Sequence, residues 1–260
     1  MKDMNSTIQD QCIIIYYNNT VLCFQPKLSD NNEDFNKFFE HIENLNFTEA
    51  ITECTKLEEK YITSTDYSTS LGEVYTNLGA IYFINKDYDL MEKYYLLAIE
   101  LGNCIAMGNF AEYNYINAKY ELVEKYYLMA IELNDDIAMN NLGTYHIRTT
   151  KKYDLAEKYL MMAINLNNKS AMTNFAYYCS EQKNYELMEK YYLMAIDLNH
   201  CLAMHRYGHY LINSGKKTDG YKYLVMAKEQ GFKYDDQLLS TSNWTKRYLS
   251  IVDNKKIGNI

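Results

Sequence analysis

Cys201, His205 and His209 stand four residues apart, and they are the one cluster in the chain whose types and spacing suit a metal ion. On a helix this spacing brings all three to one face, where a thiol and two imidazoles match what zinc prefers. No second Cys/His group accompanies them, and a closed zinc site needs a fourth ligand that one helix face rarely supplies. The plainer reading, of ordinary helix side chains and no metal, is therefore favoured. Other chemistry is thinner still. The sequence holds no glycine-rich phosphate loop, no HExxH helix and no GxSxG elbow. Carboxylates are plentiful, but they fall where helices begin rather than in acid–base pairs, so no catalysis and no cofactor are expected.

The element that must position any site is a repeat. The segment MEKYYLLAIELGN (91–103) returns at 123–135, 156–168 and 188–200, and a decayed copy covers 220–232. Its central alanines are Ala98, Ala130, Ala163, Ala195 and Ala227, at steps of 32, 33, 32 and 32 residues. A second segment keeps the same step, as IAMGNFAEY (105–113), IAMNNLGTY (137–145), SAMTNFAYY (170–178) and LAMHRYGHY (202–210), with a looser copy over 70–83. Each unit thus reads as two helices of roughly 13 residues joined by a short polar turn. The second helix is apolar around most of its circumference, so its partner and the neighbouring units must cover it together.

Local signals agree with that reading. Each second helix ends in Leu followed by Gly102, Asn134, Asn167, Asn199 or Gly231, residues that tolerate a left-handed cap. Asn103, Asp135 and Asn168 then suit the N-cap of the next helix. Asp89, Glu121, Asp154 and Glu186 precede Lys93, Lys125, Lys158 and Lys190 by four residues, which predicts acid-to-base pairs along each second helix. Small residues (Gly79, Ala111, Gly143, Ala176, Gly208) recur in the first helices where a close approach is expected.

The run Ala-Met-x-Asn-(Leu/Phe)-(Gly/Ala), then Tyr, then EKYYLMAI-x-LN, resembles the Sel1-like and tetratricopeptide repeat superfamily. The Sel1-like branch is the nearer of the two, since its units share the helix-ending Gly/Asn and the alanine that opens the next helix. The likeness covers about 70–232, with 31–64 as one degenerate unit. It departs from the family in its 32-residue step and in lacking a closing proline, and Met91, Val123 and Met188 replace an expected small residue. The resemblance implies an all-α fold, an α-α superhelix in which antiparallel helix pairs form a right-handed solenoid. It also implies an adaptor with no chemistry of its own, binding a protein or peptide on a concave face lined by first helices. On that face the asparagines Asn77, Asn109, Asn141 and Asn174 would form a ladder able to bond a peptide backbone, with Arg206 in the equivalent place facing a carboxylate. The reading in which these asparagines belong to the repeat template and bond locally stands beside it. The position after each small residue varies, as Ala80, Glu112, Thr144, Tyr177 and His209, and one turn on come Ile84, Ile116, Arg148, Glu181 and Asn213. The Asn-, Tyr-, Ile- and Lys-rich composition resembles repeat proteins encoded by large AT-rich DNA viruses.

The expected organisation is an N-terminal segment (1–30), a short hairpin around Asn18-Asn19 or a mobile stretch, then the array over 31–235. Its clear units span about 70–103, 104–135, 136–168, 169–200 and 201–232. A capping helix and tail would complete it at 236–260. The net charge of −8 with no basic block makes nucleic acid an unfavourable partner. No apolar run is long enough for a signal peptide or a membrane span, and the six cysteines contain no CxxC, so reduced thiols and a cytoplasmic location are expected. Two other functions remain open at this point: a metal or enzyme site on the Cys201–His209 face, and a structural protein that self-associates.

Overall fold

The turns between helices are fixed by a few residues whose backbone must turn left. The structure, a computed structural model, describes residues 5–9, 12–17, 20–24, 36–44, 46–62 and 68–232. The cap and tail expected over 236–260 lie outside the described residues. All five residues assigned to second-helix C-caps have positive φ: Gly102 (76°), Asn134 (68°), Asn167 (61°), Asn199 (56°) and Gly231 (83°). At the first of them the Gly102 N–H donates to Ile99 O at 2.9 Å and the Asn103 N–H to Ala98 O at 3.0 Å, the paired bonds of a Schellman cap. Asn103, Asp135 and Asn168 then accept from the N–H of Ala106, Ala138 and Ala171 at 3.0, 2.5 and 2.7 Å, so one helix closes as the next opens.

The first helices end in the same left-handed way, but on residues that advertise it poorly. Lys86 (φ 64°), Ala118 (55°), Lys151 (58°) and Lys183 (59°) occupy the position that Gly215 (89°) fills in the last unit. A left-handed residue with a Cβ costs about 1–2 kcal/mol, which the surrounding helix contacts must offset.

The chain forms two compact units, Met1–Ala138 and Met139–Ile260. The first opens with β1 (Asn5–Gln9), β2 (Cys12–Tyr17) and β3 (Thr20–Phe24), an antiparallel sheet in sequence order. Tyr17 pairs with Thr20 across β2 and β3, and Gln9 with Cys12 across β1 and β2. Strand β1 had no counterpart in the sequence reading. Six helices follow: α1 (Asn36–Glu43), α2 (Phe47–Ile62), α3 (Ser68–Ile84), α4 (Tyr88–Glu100), α5 (Cys104–Ile116) and α6 (Tyr120–Glu132). Each packs on the next, and β3 packs on α3 and α5. Helix α3 is consequently enclosed all round, with every residue from 72 to 81 buried.

Helix α7 (Asp136–Tyr145) crosses into the second unit and runs into a π-helical turn, His146–Thr150. This unit is the one whose repeat step is 33 rather than 32, and a π turn is how a helix absorbs one extra residue. His146 is buried there, its Nδ1 2.9 Å from Thr150 Oγ1. Helices α8 (Tyr153–Asn165), α9 (Lys169–Glu181), α10 (Tyr185–Asp197), α11 (Cys201–Asn213) and α12 (Lys217–Glu229) follow among the described residues, each packed on its neighbour.

Within both units the repeat template forms the core. The five second-helix alanines, Ala98, Ala130, Ala163, Ala195 and Ala227, are each 0% exposed. The first-helix glycines mark real close approaches: a Cβ on Gly79 would lie 2.6 Å from the Tyr95 ring, and one on Gly143 2.7 Å from Leu160. One sequence expectation fails. The acid-to-base pairs of the second helices do not form. Instead the ammonium groups of Lys93, Lys125, Lys158 and Lys190 lie 4.8–5.3 Å from the ring centres of Tyr94, Tyr126, Tyr159 and Tyr191. A ring one residue along offers the lysine stem apolar cover and its head a π face, worth about 0.5–1 kcal/mol, against about 0.2–0.5 kcal/mol for an exposed ion pair.

Candidate interaction surface

The positions singled out in the sequence divide sharply between the two units. In the first, Asn77 is 0% and Asn109 6% exposed, and Ala80 and Ile84 are buried as well. This corrects the expectation of a surface ladder there: α3 is covered by α2, α4, α5 and β3, so its asparagine cannot meet an incoming peptide. Glu112 is half-buried and accepts from Tyr127 Oη at 3.0 Å, while Ile116 is exposed.

In the second unit the corresponding residues stay accessible and join one another. Asn174 Nδ2 donates to Asn140 Oδ1 at 2.9 Å and, more weakly, to Thr144 Oγ1 at 3.4 Å. Asn141 Oδ1 accepts from Asn140 Nδ2 at 2.9 Å. Arg206 Nη1 donates to Asn174 Oδ1 at 3.4 Å. These bonds tie α7 to α9 and α9 to α11, so the three first helices lie side by side. The ladder therefore spends much of its bonding capacity on itself. Asn140, one residue before the ladder position, is a junction that sequence reasoning missed, although the doublet Asn140-Asn141 sets this unit apart from Gly108-Asn109 and Thr173-Asn174.

Above this network stand the side chains that vary between units. Tyr177 is 44% exposed, and its ring carries the Arg206 guanidinium at 5.2 Å from the ring centre. Arg148, in the π turn, and Glu181 and Asn213 are exposed; Thr144 and His209 are half-buried. Thr144 Oγ1 also donates to Asn140 O at 2.9 Å. His205 and His209 face each other with their Nε2 atoms 3.1 Å apart, and Phe232 stacks on His205. Burial pushes both imidazoles below their usual pKa, His205 down to about 4 with His209 and Arg206 adding to the shift. Both rings are thus neutral at pH 7. Cys201 is half-buried, and among the described residues no group of three His, Cys, Asp or Glu side chains is arranged to hold a metal. The three-ligand cluster read from the sequence is reduced to a hydrogen-bonded histidine pair beside a guanidinium, a poor setting for a cation. Among the described residues no helix is long and apolar enough to cross a membrane.

No family model matches the sequence, and no curated protein matches it either. Solved structures do resemble it. The chain is similar to PilF of Pseudomonas aeruginosa, from a functional characterisation of that protein, with a TM-score of 0.58 and 15% identity over 84% of this chain and 95% of that one. It is similar also to a Sel1 repeat protein from Oxalobacter formigenes, with a TM-score of 0.53 and 15% identity over 84% of this chain and 98% of the other. At that identity the likeness speaks for architecture alone: the helices have the paired arrangement of the Sel1-like and tetratricopeptide repeats, and the sheet β1–β3 departs from the all-α expectation.

Proposed function

We propose that the chain is a protein-interaction scaffold that holds a segment of a partner protein on the first-helix face of its second unit. The observation that carries this reading is the contrast between a constant buried frame and a changing, accessible set of side chains above it. Ala163, Ala176 and Ala195 are 0% exposed, while Tyr177 and His209 occupy a position that differs in all five units, and Arg206 and Arg148 stand where other units carry asparagine and isoleucine. A recognition surface needs that division, since the frame fixes geometry and the variable residues select. In the first unit β3 packs on α3 and α5, and Asn77 and Asn109 are buried, which favours the second unit as the partner's seat.

The test is site-specific photo-crosslinking in cells that make the protein. A photo-reactive residue replaces Tyr177 on the first-helix face, or Lys158 on a second helix as the control. A defined protein captured from position 177 and not from 158 supports the proposal. Equal capture from both, or capture only from 158, overturns it.

A further inference from the structure

Arg206 is an arginine with no counter-ion among the described residues. The chain has 34 acidic residues against 26 basic ones, so a half-buried cation would be expected to find a carboxylate. None pairs with it among the described residues. Among the described residues its polar and ring contacts are the Tyr177 ring at 5.2 Å and the long bond to Asn174 Oδ1 at 3.4 Å, which use little of a guanidinium's five-donor fork. Burial lowers its pKa, and the positive charge of Arg148 adds to that, so a second guanidinium lies close enough to be felt. Arginine is scarce in this sequence, with only Arg148, Arg206 and Arg247 among the basic residues. Two of the three therefore meet on one face. Lysine, used everywhere else, would not present the planar fork that grips an oxyanion with two bonds.

We infer that this face takes an oxyanion carried by the partner, a side-chain carboxylate or phosphate of an acidic segment, seated on the Arg206 guanidinium. The inference rests on the scaffold reading and adds the chemistry of the partner. Tyr177 and Asn174 hold the fork before the partner arrives, so little side-chain freedom is lost on binding. The flanking His205 and His209 are neutral and bring no competing charge. Arg148 raises the local positive potential from the exposed side. At the position of Tyr177 the first unit carries Glu112, which would repel the same ligand, so the preference belongs to the second unit alone.

The experiment is fluorescence anisotropy on the full chain with three short fluorescein-labelled Gly/Ser peptides, all amidated at the C-terminus. One carries internal glutamates, one phosphoserines in their place, and one glutamines. The glutamate or the phosphoserine peptide binds, the glutamine peptide does not, and added salt weakens the complex. Arg206→Ala weakens binding about 10- to 100-fold, and Arg206→Lys recovers only part of it. Should Arg206→Ala lower the helix signal, Arg206→Gln, which keeps an amide donor for Asn174, is read in its place. Failure of both acidic peptides to bind, or binding that ignores Arg206, overturns the inference. A partner crosslinked through position 177 equally well in Arg206→Ala would sink the anion site and leave the scaffold reading standing.

Discussion

Replacing Gly220 with alanine tests the packing account at its tightest point. A Cβ at Gly220 would lie 2.5 Å from Gly208 O, 2.6 Å from Ile212 Cγ1 and 2.9 Å from Ile212 N. Two of those atoms are backbone, so no side chain can swing aside; α11 and α12 must separate by about 1 Å to restore ordinary contact. Overpacking of this kind costs about 1–3 kcal/mol, and with the α11 backbone as the obstacle the upper part of the range applies. Alanine returns about 1 kcal/mol through its better helix propensity, leaving a net loss of about 1–2 kcal/mol. Gly108→Ala is the control: it is also a helix-interior glycine, but nothing lies within 4 Å of its added Cβ, so it should gain about 0.5–1 kcal/mol. Urea unfolding followed by circular dichroism at 222 nm reads both. For a slope of about 2 kcal/mol/M, Gly220→Ala lowers the midpoint by about 0.5–1 M and Gly108→Ala raises it by a fraction of that. A Gly220→Ala midpoint at or above the wild-type value would refute the close helix approach.

Three further outcomes follow from the same structure. Ala118 holds φ at 55° in an exposed turn, so Ala118→Gly should stabilise the protein by about 0.5–1 kcal/mol in the same urea assay, and destabilisation would contradict the left-handed turn. Glu73 is 4% exposed and burial raises its pKa to about 7, above the ordinary carboxylate value of 4.5. Its contribution is therefore fully present below pH 4.5 and is lost as the pH rises through 7, so Glu73→Gln should gain a few kcal/mol at pH 8 and almost nothing at pH 4. Equal gains at both values would remove Glu73 from the interior. Cys54 and Cys179 are buried and their thiol pKa values are pushed up by that burial, so iodoacetamide mapped by mass spectrometry should leave both unmodified until urea unfolds the chain, whereas Cys104 and Cys201 react earlier.

The repeat made the helix pairs legible because one residue pattern must satisfy the same burial again and again. The caps at Gly102, Asn134, Asn167, Asn199 and Gly231 could be read for the same reason: left-handed geometry leaves a chemical trace when Gly or Asn supplies it. Where Lys86, Ala118, Lys151 and Lys183 adopt that geometry, no trace exists, since residue type does not record strain tolerated by tertiary contact. The 33-residue step announced an insertion but not its form, because a loop and a π turn cost the sequence the same single residue. The asparagine ladder failed at Asn77 and Asn109 for a different reason. Their own repeats look like the others, and it is β3, a non-repeating element, that packs against α3 and α5. In the second unit the family pattern singled out Asn141, Asn174 and Arg206, but the Asn140–Asn174–Arg206 chain of bonds depends on contacts between neighbouring repeats that no single repeat encodes.

A helix pair cut from its neighbours is expected to be unstable alone, and the isolated peptide 104–135 measures this. Helices of about 13 residues are marginal in water by themselves, so the peptide should show a weak 222 nm signal next to the strong helical spectrum of the full chain. A peptide as helical per residue as the intact protein would mean that each pair covers its own apolar surface.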